Sequence, residues 1–292
     1  MRKDFCIFIL TNGRPDRVFT YNWLERAGYS GKVFIVIDDE DKTADAYRAR
    51  FGDKVLQYCK ADIAKQVDTG DNFDGRASTI YPRAAFWDLA KQNGCKYFLQ
   101  LDDDYTEFQY YFDSKGNHRY RLAKKTLEQM IETMLDYFIS IPAVTLAMAQ
   151  GGDFIGGANE GGANEGEKPR LCRLRRKAMN VLFCSCERQW NMFGRRNEDV
   201  NAYVCGNLRG QLFLTVMQAK ITQVQTQKNK GIITDAYLES GTYIKSFYTV
   251  MYAPSCVQIG VLQDHRTTNA RIHHKINWHH CAPKIMREEW KK

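Results

Sequence analysis

The stretch YFLQLDDDY, residues 97–105, places three consecutive aspartates directly after a strand-like run. Carboxylates crowded at one strand end repel one another, and this repulsion raises their pKa values. A divalent cation relieves the repulsion, and carboxylate oxygens are suitable ligands for Mg²⁺ or Mn²⁺. Such a cation can hold a diphosphate and stabilise the charge that develops as the diphosphate leaves. The stretch therefore predicts a metal–diphosphate site, with an acidic surface turn as the simpler alternative.

Alternating strand and helix signals surround this stretch through the first third of the chain. Short apolar runs bounded by turn residues predict strands at residues 5–10, 33–37, 54–59 and 97–101. Apolar residues at helical spacing predict helices at residues 15–27, 43–51 and 78–93. This order is typical of an α/β fold with a mainly parallel sheet, in which ligands bind at the carboxyl ends of strands. Two of these strands end in clustered carboxylates, so we expect the functional site there.

The rest of the chain gives weaker signals. Residues 126–139 have the pattern of an amphipathic helix, residues 180–186, 248–251 and 257–261 are strand-like, and residues 210–225 fit either a strand or a helix. Gly-Gly-Ala-Asn-Glu occurs twice within residues 151–166, which predicts a flexible loop, either plain slack or a mobile lid. Five of the six histidines follow Asp264.

Composition indicates the class of protein and its surroundings. The 292 residues are 44% hydrophobic, enough for a large packed core, and carry a net charge of +8. That charge is compatible with a phosphate-bearing substrate or with nucleic acid, as is the basic stretch 168–177. Nine cysteines without framework spacing favour reduced thiols, and no signal peptide or membrane span is visible. We therefore expect a cytoplasmic location, no membrane association and no obligatory protein partner.

The order of these features resembles that of GT-A glycosyltransferases. Asp102 and Asp104 correspond to the Asp-x-Asp pair of that group, which follows a nucleotide-binding start by roughly 100 residues. The resemblance implies a single large Rossmann-like domain with a mixed sheet flanked by helices. It also implies a nucleotide-sugar donor, taken here as a UDP-sugar, and a divalent metal, Mn²⁺ or Mg²⁺. Residues 1–112 would form the donor half and residues 113–292 the acceptor and catalytic half.

The same resemblance implies roles for further residues. Asp38 and Asp39 would lie at the nucleoside, and the metal would be held by Asp102, Asp104 and a late histidine, His274. Glu198 and Asp199 resemble the acidic pair of the acceptor half, with Asp199 as general base and Glu198 as its neighbour. A structural alternative for this pair is a carboxylate N-cap. The remaining donor-binding residues would be Thr11, Arg14, Arg76, Arg83, Asp102, Asp103 and Lys275.

Four short motifs in order resemble the TET-associated glycosyltransferases of bacteriophages. They are TNGR at 11–14, LDDDY at 101–105, NEDVN at 197–201 and HHKINW at 273–278. That family is implied to glycosylate hydroxymethylated pyrimidines, such as 5-hydroxymethylcytosine, in viral DNA. DNA is thus the implied acceptor, and a base within a duplex would have to be flipped out.

Other functions are compatible with the same residues. A GT-A enzyme with a carbohydrate or protein acceptor shares the donor features, and a nucleotidyltransferase also uses paired aspartates and metal. Residues 11–14 are a poor version of the glycine-rich phosphate loop that a nucleotidyltransferase usually carries. In a further alternative the protein binds nucleic acid without catalysis, and its acidic clusters are only surface turns. Inversion at the anomeric carbon follows if Asp199 is the base, and otherwise a retaining mechanism stays open.

Overall fold

The computed structural model of the protein describes residues 1–112, 118–150, 172–173, 177–179, 181–224, 243–263 and 270–281. The glycine-rich loop predicted at residues 151–166 and most of the basic stretch 168–177 lie outside the described residues. Within the described ranges, no helix is long and apolar enough to cross a membrane.

The described elements alternate between strand and helix. The strands are β1 (Phe5–Leu10), β2 (Lys32–Asp38), β3 (Val55–Tyr58), β4 (Tyr97–Asp102), β5 (Tyr105–Phe112), β6 (His118–Leu122), β7 (Ala143–Ala149), β8 (Cys172–Arg173), β9 (Leu182–Ser185), β10 (Leu212–Gln223), β11 (Val257–Gln263) and β12 (Ala270–Ile276). The helices are α1 (Phe19–Arg26), α2 (Ala44–Phe51), α3 (Lys60–Ala64), α4 (Ile80–Gln92), α5 (Leu127–Ser140), α6 (Glu198–Leu208), α7 (Tyr243–Tyr252) and α8 (Trp278–Cys281).

One large mixed sheet runs through the described structure, in the order β3-β2-β1-β4-β9-β7-β10-β5-β6, with β8 beside β10. The strands β3, β2, β1 and β4 are parallel to one another, as the sequence predicts. Beyond β4 the sheet is mixed, because β9 is antiparallel to both β4 and β7, β7 is parallel to β10, and β5 is antiparallel to β10. A separate hairpin, β11-β12, lies outside this sheet.

Helices cover both faces of the sheet, and successive residues of a strand point to opposite faces. Along β1, Phe8 packs into a core with residues of α3, α4 and α6, while Ile7 and Ile9 pack into a second core with residues of α1, α2 and α5. Because β1 is covered on both sides, all six of its residues are buried. The mixed, helix-flanked sheet confirms the predicted fold class.

Most predicted elements of the first third are confirmed, with small shifts at their ends. The helix predicted at residues 15–27 begins instead at Phe19, after a 3-10 turn at Pro15–Arg17. The short helix α3 was not predicted. Within residues 210–225, Leu212–Gln223 form the strand β10.

The strand predicted at residues 248–251 is wrong, because these residues lie in helix α7. Aromatic and β-branched side chains favour a strand there. The buried residues Ser246, Thr249 and Ala253 recur instead at helical spacing. That spacing lets one face of the segment pack against β11 and β12, so tertiary packing overrides the local preference.

Candidate active site

Three neighbouring strands bring their carboxyl ends to one edge of the sheet. Leu10 at the end of β1 pairs with Val36 of β2 and with Asp102 of β4. The residues at and just after the ends of these strands therefore lie side by side, and they include Thr11, Asp38 and the three consecutive aspartates. This is the edge at which parallel sheets bind ligands.

Asp103 fastens the loop after β1 to the end of β4. Its carboxylate accepts two hydrogen bonds from Arg14, from Nε at 2.6 Å and Nη2 at 2.8 Å, and a third from the Thr11 hydroxyl at 2.6 Å. The phenol of Tyr47 lies 2.7 Å from the same hydroxyl. Burial raises the pKa of Asp103, while the Arg14 charge and these hydrogen bonds oppose the rise. Asp103, Arg14 and Thr11 are thus brought together, and they bind one another.

Arg83 joins the aspartate strand to helix α6. It is only 2% exposed, and its Nη2 donates to Asp102 Oδ1 at 2.7 Å. Its Nε lies 3.4 Å from Glu198 Oε1, which also accepts a hydrogen bond from Thr79. Burial lowers the pKa of Arg83, but the charges of Asp102 and Glu198 outweigh that effect and hold it above its usual value. The arginine predicted to approach a diphosphate therefore bridges two carboxylates of the site.

Asp104 is the carboxylate of this edge with the least compensation. Its Oδ1 is buried and has no hydrogen-bond partner in the described structure. Burial raises the pKa of Asp104 to about 7, and the neighbouring charges of Asp102 and Asp103 add to the rise. An orphaned carboxylate oxygen beside two further carboxylates has the donor chemistry that a hard divalent cation requires. The residues present therefore fit a cation at Asp104 and Asp102.

The acidic residues after β2 are compensated by the protein itself. Asp38 is buried, and its Oδ2 accepts from Asn12 at 2.9 Å and from Lys60 at 3.2 Å. Asp39 is exposed, and its Oδ1 accepts from the Lys60 amide at 2.8 Å, a hydrogen bond that lowers its pKa. Arg76 is exposed and forms an ion pair with Glu40 at the rim of this group.

Helix α6 presents its first-turn carboxylates to the same site. Glu198 is 7% exposed, and burial raises its pKa, with the Asp199 charge adding to the rise. The Asp199 charge also raises the pKa of Asp102. Asp199 is half-buried, and its Oδ1 accepts from the Val200 amide at 2.8 Å. The N-cap of α6 is Asn197, so Glu198 and Asp199 lie in the first turn of the helix and not at its N-cap.

Asn197 is held in the left-handed region, at φ 55°, which asparagine tolerates better than most residues. Its side-chain amide donates to the Lys245 carbonyl at 2.9 Å and to the Thr249 hydroxyl at 3.0 Å. The same amide lies 3.2 Å from Nδ1 of His274. These contacts fix the turn that leads into Glu198 and Asp199.

His274 and Lys275 lie on β12. His274 is 4% exposed, its Nε2 lies 3.2 Å from Lys177 Nζ, and burial lowers its pKa to about 2. Lys275 is exposed. The described contacts of His274 join it to Asn197 and Lys177, and not to Asp102 or Asp104. Across the described ranges, no three His, Cys, Asp or Glu side chains gather as a metal-binding group.

Sequence reasoning missed several residues of the site. Lys60 is 6% exposed and forms an ion pair with Asp38, and Thr79 donates to Glu198. Asp41 is buried and accepts from the Gly13 amide at 2.9 Å. The acidic run that contains Asp41 was a signal that could have drawn attention to it. A lysine and a threonine beside short helices carry no comparable signal.

A Rossmann-like half with three aspartates at a strand end, joined to an acidic helix start, is the arrangement that the resemblance to GT-A glycosyltransferases implies. The model of the TET-Associated Glycosyltransferase family matches residues 5–232. The chain belongs to this family and is a transferase that uses a nucleotide-sugar.

Other comparisons gave more distant similarities. Glucosyl-3-phosphoglycerate synthase from Mycobacterium tuberculosis, in complex with Mg²⁺ and UDP, has a TM-score of 0.49 and 8% identity, over 93% of this chain and 87% of that chain. S. aureus TarS has a TM-score of 0.39 and 12% identity, over 75% of this chain and 60% of that chain. The search of curated proteins found no match.

Proposed function

We propose that the enzyme transfers a sugar from a UDP-sugar to a hydroxymethylated pyrimidine, 5-hydroxymethylcytosine, in phage DNA. One observation carries the proposal. Arg83 joins Asp102, at the predicted donor edge, to Glu198, at the predicted acceptor helix. A single buried ion network therefore links the carboxylates assigned to the two substrates. Membership of the TET-Associated Glycosyltransferase family supports DNA as the acceptor.

The donor nucleoside would bind at the ends of β1 and β2. Asn12 and Lys60 hold Asp38 in place, and Asp39 is exposed with one oxygen fixed by the Lys60 amide. The second oxygen of Asp39 is then oriented to accept a hydrogen bond from the nucleoside. Arg76 could exchange Glu40 for a phosphate, since both side chains are more than a third exposed. Lys275 remains a predicted partner of the leaving diphosphate.

A divalent cation, Mn²⁺ or Mg²⁺, would be held by Asp104 and Asp102. When bound, it would neutralise the diphosphate and help it leave. The orphaned oxygen of Asp104 is the observation that supports this placement. His274, the third predicted ligand, would have to give up its contact with Lys177 or Asn197 to reach a cation. The proposal therefore places the cation on the two aspartates.

Asp199 is the proposed general base. One of its oxygens accepts a hydrogen bond from the Val200 amide, and the other would accept the proton of the acceptor. Asp199 would remove the proton of the hydroxymethyl group, and the resulting oxygen would attack the anomeric carbon as the bond to the diphosphate breaks. The products are the glycosylated base with inverted configuration, UDP and a protonated Asp199 that later loses its proton to water. Glu198, held by Arg83 and Thr79, positions this turn and does not take the proton.

The proposed acceptor agrees with the charge of the protein. A net charge of +8 favours a polyanion. A base that reacts inside a duplex must leave the stack, which costs a few kcal/mol and requires extra contacts with the backbone.

The proposal is tested by mass spectrometry of a duplex with one 5-hydroxymethylcytosine, incubated with Mn²⁺ and a panel of UDP-sugars. We expect the modified duplex to gain the mass of one sugar residue with at least one donor. The matched duplex with unmodified cytosine should gain no mass. Asp199→Asn should lower kcat by roughly 10²- to 10⁴-fold, the range for loss of a general base, while UDP binding is kept.

Two results would count against it. Hydrolysis of a UDP-sugar without any gain on the modified duplex would move the acceptor to another class, such as a carbohydrate or protein. Unchanged kcat in Asp199→Asn would remove the base assignment and return a retaining mechanism to consideration.

A further inference from the structure

Strand β6 and the turn that follows it carry a concentrated positive charge. Residues 118–125, HRYRLAKK, contain two arginines and two lysines and no carboxylate. Arg119, Arg121, Lys124 and Lys125 are all exposed, and Tyr120 is 71% exposed. These five residues are called the basic surface below. β6 ends the described order of the large sheet, so the basic surface lies at its edge.

Some exposed cations elsewhere in the described structure form ion pairs with carboxylates, whereas others, such as Arg17 and Lys42, form no described ion pair. Such ion pairs include Arg2–Asp4, Arg48–Asp45, Arg50–Asp16, Lys65–Asp62, Arg76–Glu40 and Lys91–Asp88. Within the described ranges, Arg121, Lys124 and Lys125 form no ion pair. Their charge therefore faces solvent without a counter-ion among the described residues, which is the electrostatic footprint of a surface that binds an anionic partner.

A purely structural role explains only part of this arrangement. Charged residues on an edge strand prevent it from pairing with a strand of another molecule. That role could account for Arg119 and Arg121. It does not account for Lys124 and Lys125, which lie beyond the end of the strand, or for the highly exposed ring of Tyr120.

We propose that the basic surface binds the phosphate backbone of DNA about six nucleotides from the base that is modified. This inference rests on the proposed DNA acceptor. Arg121 pairs with Tyr110, six residues beyond Asp104 along the continuous strand β5. At about 3.4 Å per residue this places Arg121 about 20 Å from Asp104. Phosphates recur about every 3.4 Å along one DNA strand, so the contacts would fall about six nucleotides from the reacting base.

Arg121, Lys124 and Lys125 supply phosphate contacts, which carry no sequence information. Tyr120 lies between the two arginines in sequence but points to the opposite face of β6, where its exposed ring can stack with an unpaired base. Binding at this surface should therefore be insensitive to sequence and sensitive to salt. Removal of three phosphate contacts should lower the slope of log affinity against log salt concentration by about 3 for a duplex.

The test compares two triple variants with the same loss of net charge. R121Q/K124Q/K125Q removes the charge of the basic surface. R48Q/K65Q/K91Q removes three charges that are paired with carboxylates elsewhere. Affinity for a fluorescent duplex with one 5-hydroxymethylcytosine is measured over a range of salt concentrations. Thermal melting and UDP binding show that each variant is folded and still binds the donor product.

The affinity of R121Q/K124Q/K125Q for the duplex should fall at least tenfold at about 0.1 M salt, and its slope of log affinity against log salt concentration should be smaller than that of wild type. The affinity of R48Q/K65Q/K91Q should change less than about threefold. Equal affinities and slopes in the two variants would overturn the inference. If the first variant binds and glycosylates the modified duplex like wild type, the basic surface does not bind DNA, while the proposed function stands. If wild type binds no DNA yet glycosylates another acceptor, both are wrong.

Discussion

The ends of β2 and β4 carry similar acidic sequences, but their carboxylates are in different states. At the end of β2, Asp38 is paired with Lys60, and a backbone hydrogen bond lowers the pKa of Asp39. At the end of β4, burial raises the pKa of Asp102 and Asp104, and one oxygen of Asp104 has no described partner. The first group has partners within the protein, whereas in the second group one carboxylate oxygen has no partner among the described residues.

This difference teaches that the number of acids at a strand end does not define a cation site. Both stretches place carboxylates at the ligand-binding edge of the sheet. The distinction arises from partners supplied by distant segments, since Lys60 reaches β2 whereas, of the cations that the structure describes, only Arg14 and Arg83 reach the end of β4. Arg14 pairs with Asp103, and Arg83 pairs with Asp102 and Glu198. Neither arginine forms an ion pair with Asp104.

The largest expected effect comes from removing one carboxylate charge at the end of β4, compared with the same change at the end of β2. Asp104→Asn should lower kcat/KM by roughly 10²- to 10³-fold, because a stabilising charge at the diphosphate would be lost. Asp39→Asn, the matched change at the end of β2, should raise KM for the donor by less than about tenfold, the scale of one hydrogen bond. Steady-state kinetics with saturating Mn²⁺ measure both. Similar losses in the two variants would break the distinction.

A stability measurement tests the claim that partners within the protein compensate the buried Asp38 carboxylate at the end of β2. Lys60→Met should lower the free energy of unfolding by about 3 to 5 kcal/mol, because it leaves the buried Asp38 without its cation. Adding Asp38→Asn should recover part of that loss. Urea denaturation provides the values. A loss below about 1 kcal/mol in Lys60→Met would mean that Asp38 depends on Asn12 and the backbone instead.

The smallest effect is a pH dependence at the end of β4. A cation competes with the proton on Asp104, whose pKa is about 7. Mn²⁺ affinity should therefore rise by about tenfold per pH unit below 7 and level off above it, as one proton is displaced. Calorimetric titrations between pH 5.5 and 8.5 measure the protons displaced by Mn²⁺. We expect about half to one proton released per bound Mn²⁺ at pH 7 and below. A flat profile would contradict the raised pKa.

The same raised pKa predicts the sign of a stability difference. Folded Asp104 binds its proton more tightly than the unfolded chain does, so its contribution to stability is lost as pH rises from about 4 to about 7. Asp104→Asn does not titrate. Without metal, this variant should gain stability relative to wild type across that window, and chemical denaturation at pH 4.5 and 7.5 compares them.

Much of the donor edge could be predicted from the sequence. Apolar runs that stop at polar residues locate the strands β1, β2 and β4 within one or two residues. The rule that ligands bind at the carboxyl ends of parallel strands then places Thr11, Asp38 and Asp102 together. These are local signals combined with a general property of the fold, and they do not depend on the packing of distant segments.

The compensation of each charge could not be predicted in this way. Arg83 has the pattern of a solvated helix residue but is buried between two carboxylates, because α4 packs its start against α6. The left-handed turn at Asn197 depends on contacts with α7 and β12, which are distant in sequence. His274 is buried by the same contacts, and its predicted role as a metal ligand stays a prediction.

The central claim is that the end of β4 holds a divalent cation that binds the donor diphosphate. Calorimetric titration of UDP into wild type and Asp104→Asn, each with and without Mn²⁺, measures this most directly. We predict that Mn²⁺ tightens UDP binding to wild type by at least about tenfold, and that Asp104→Asn loses this gain while keeping the metal-independent affinity. Equal Mn²⁺-dependent gains in the two proteins would contradict the claim.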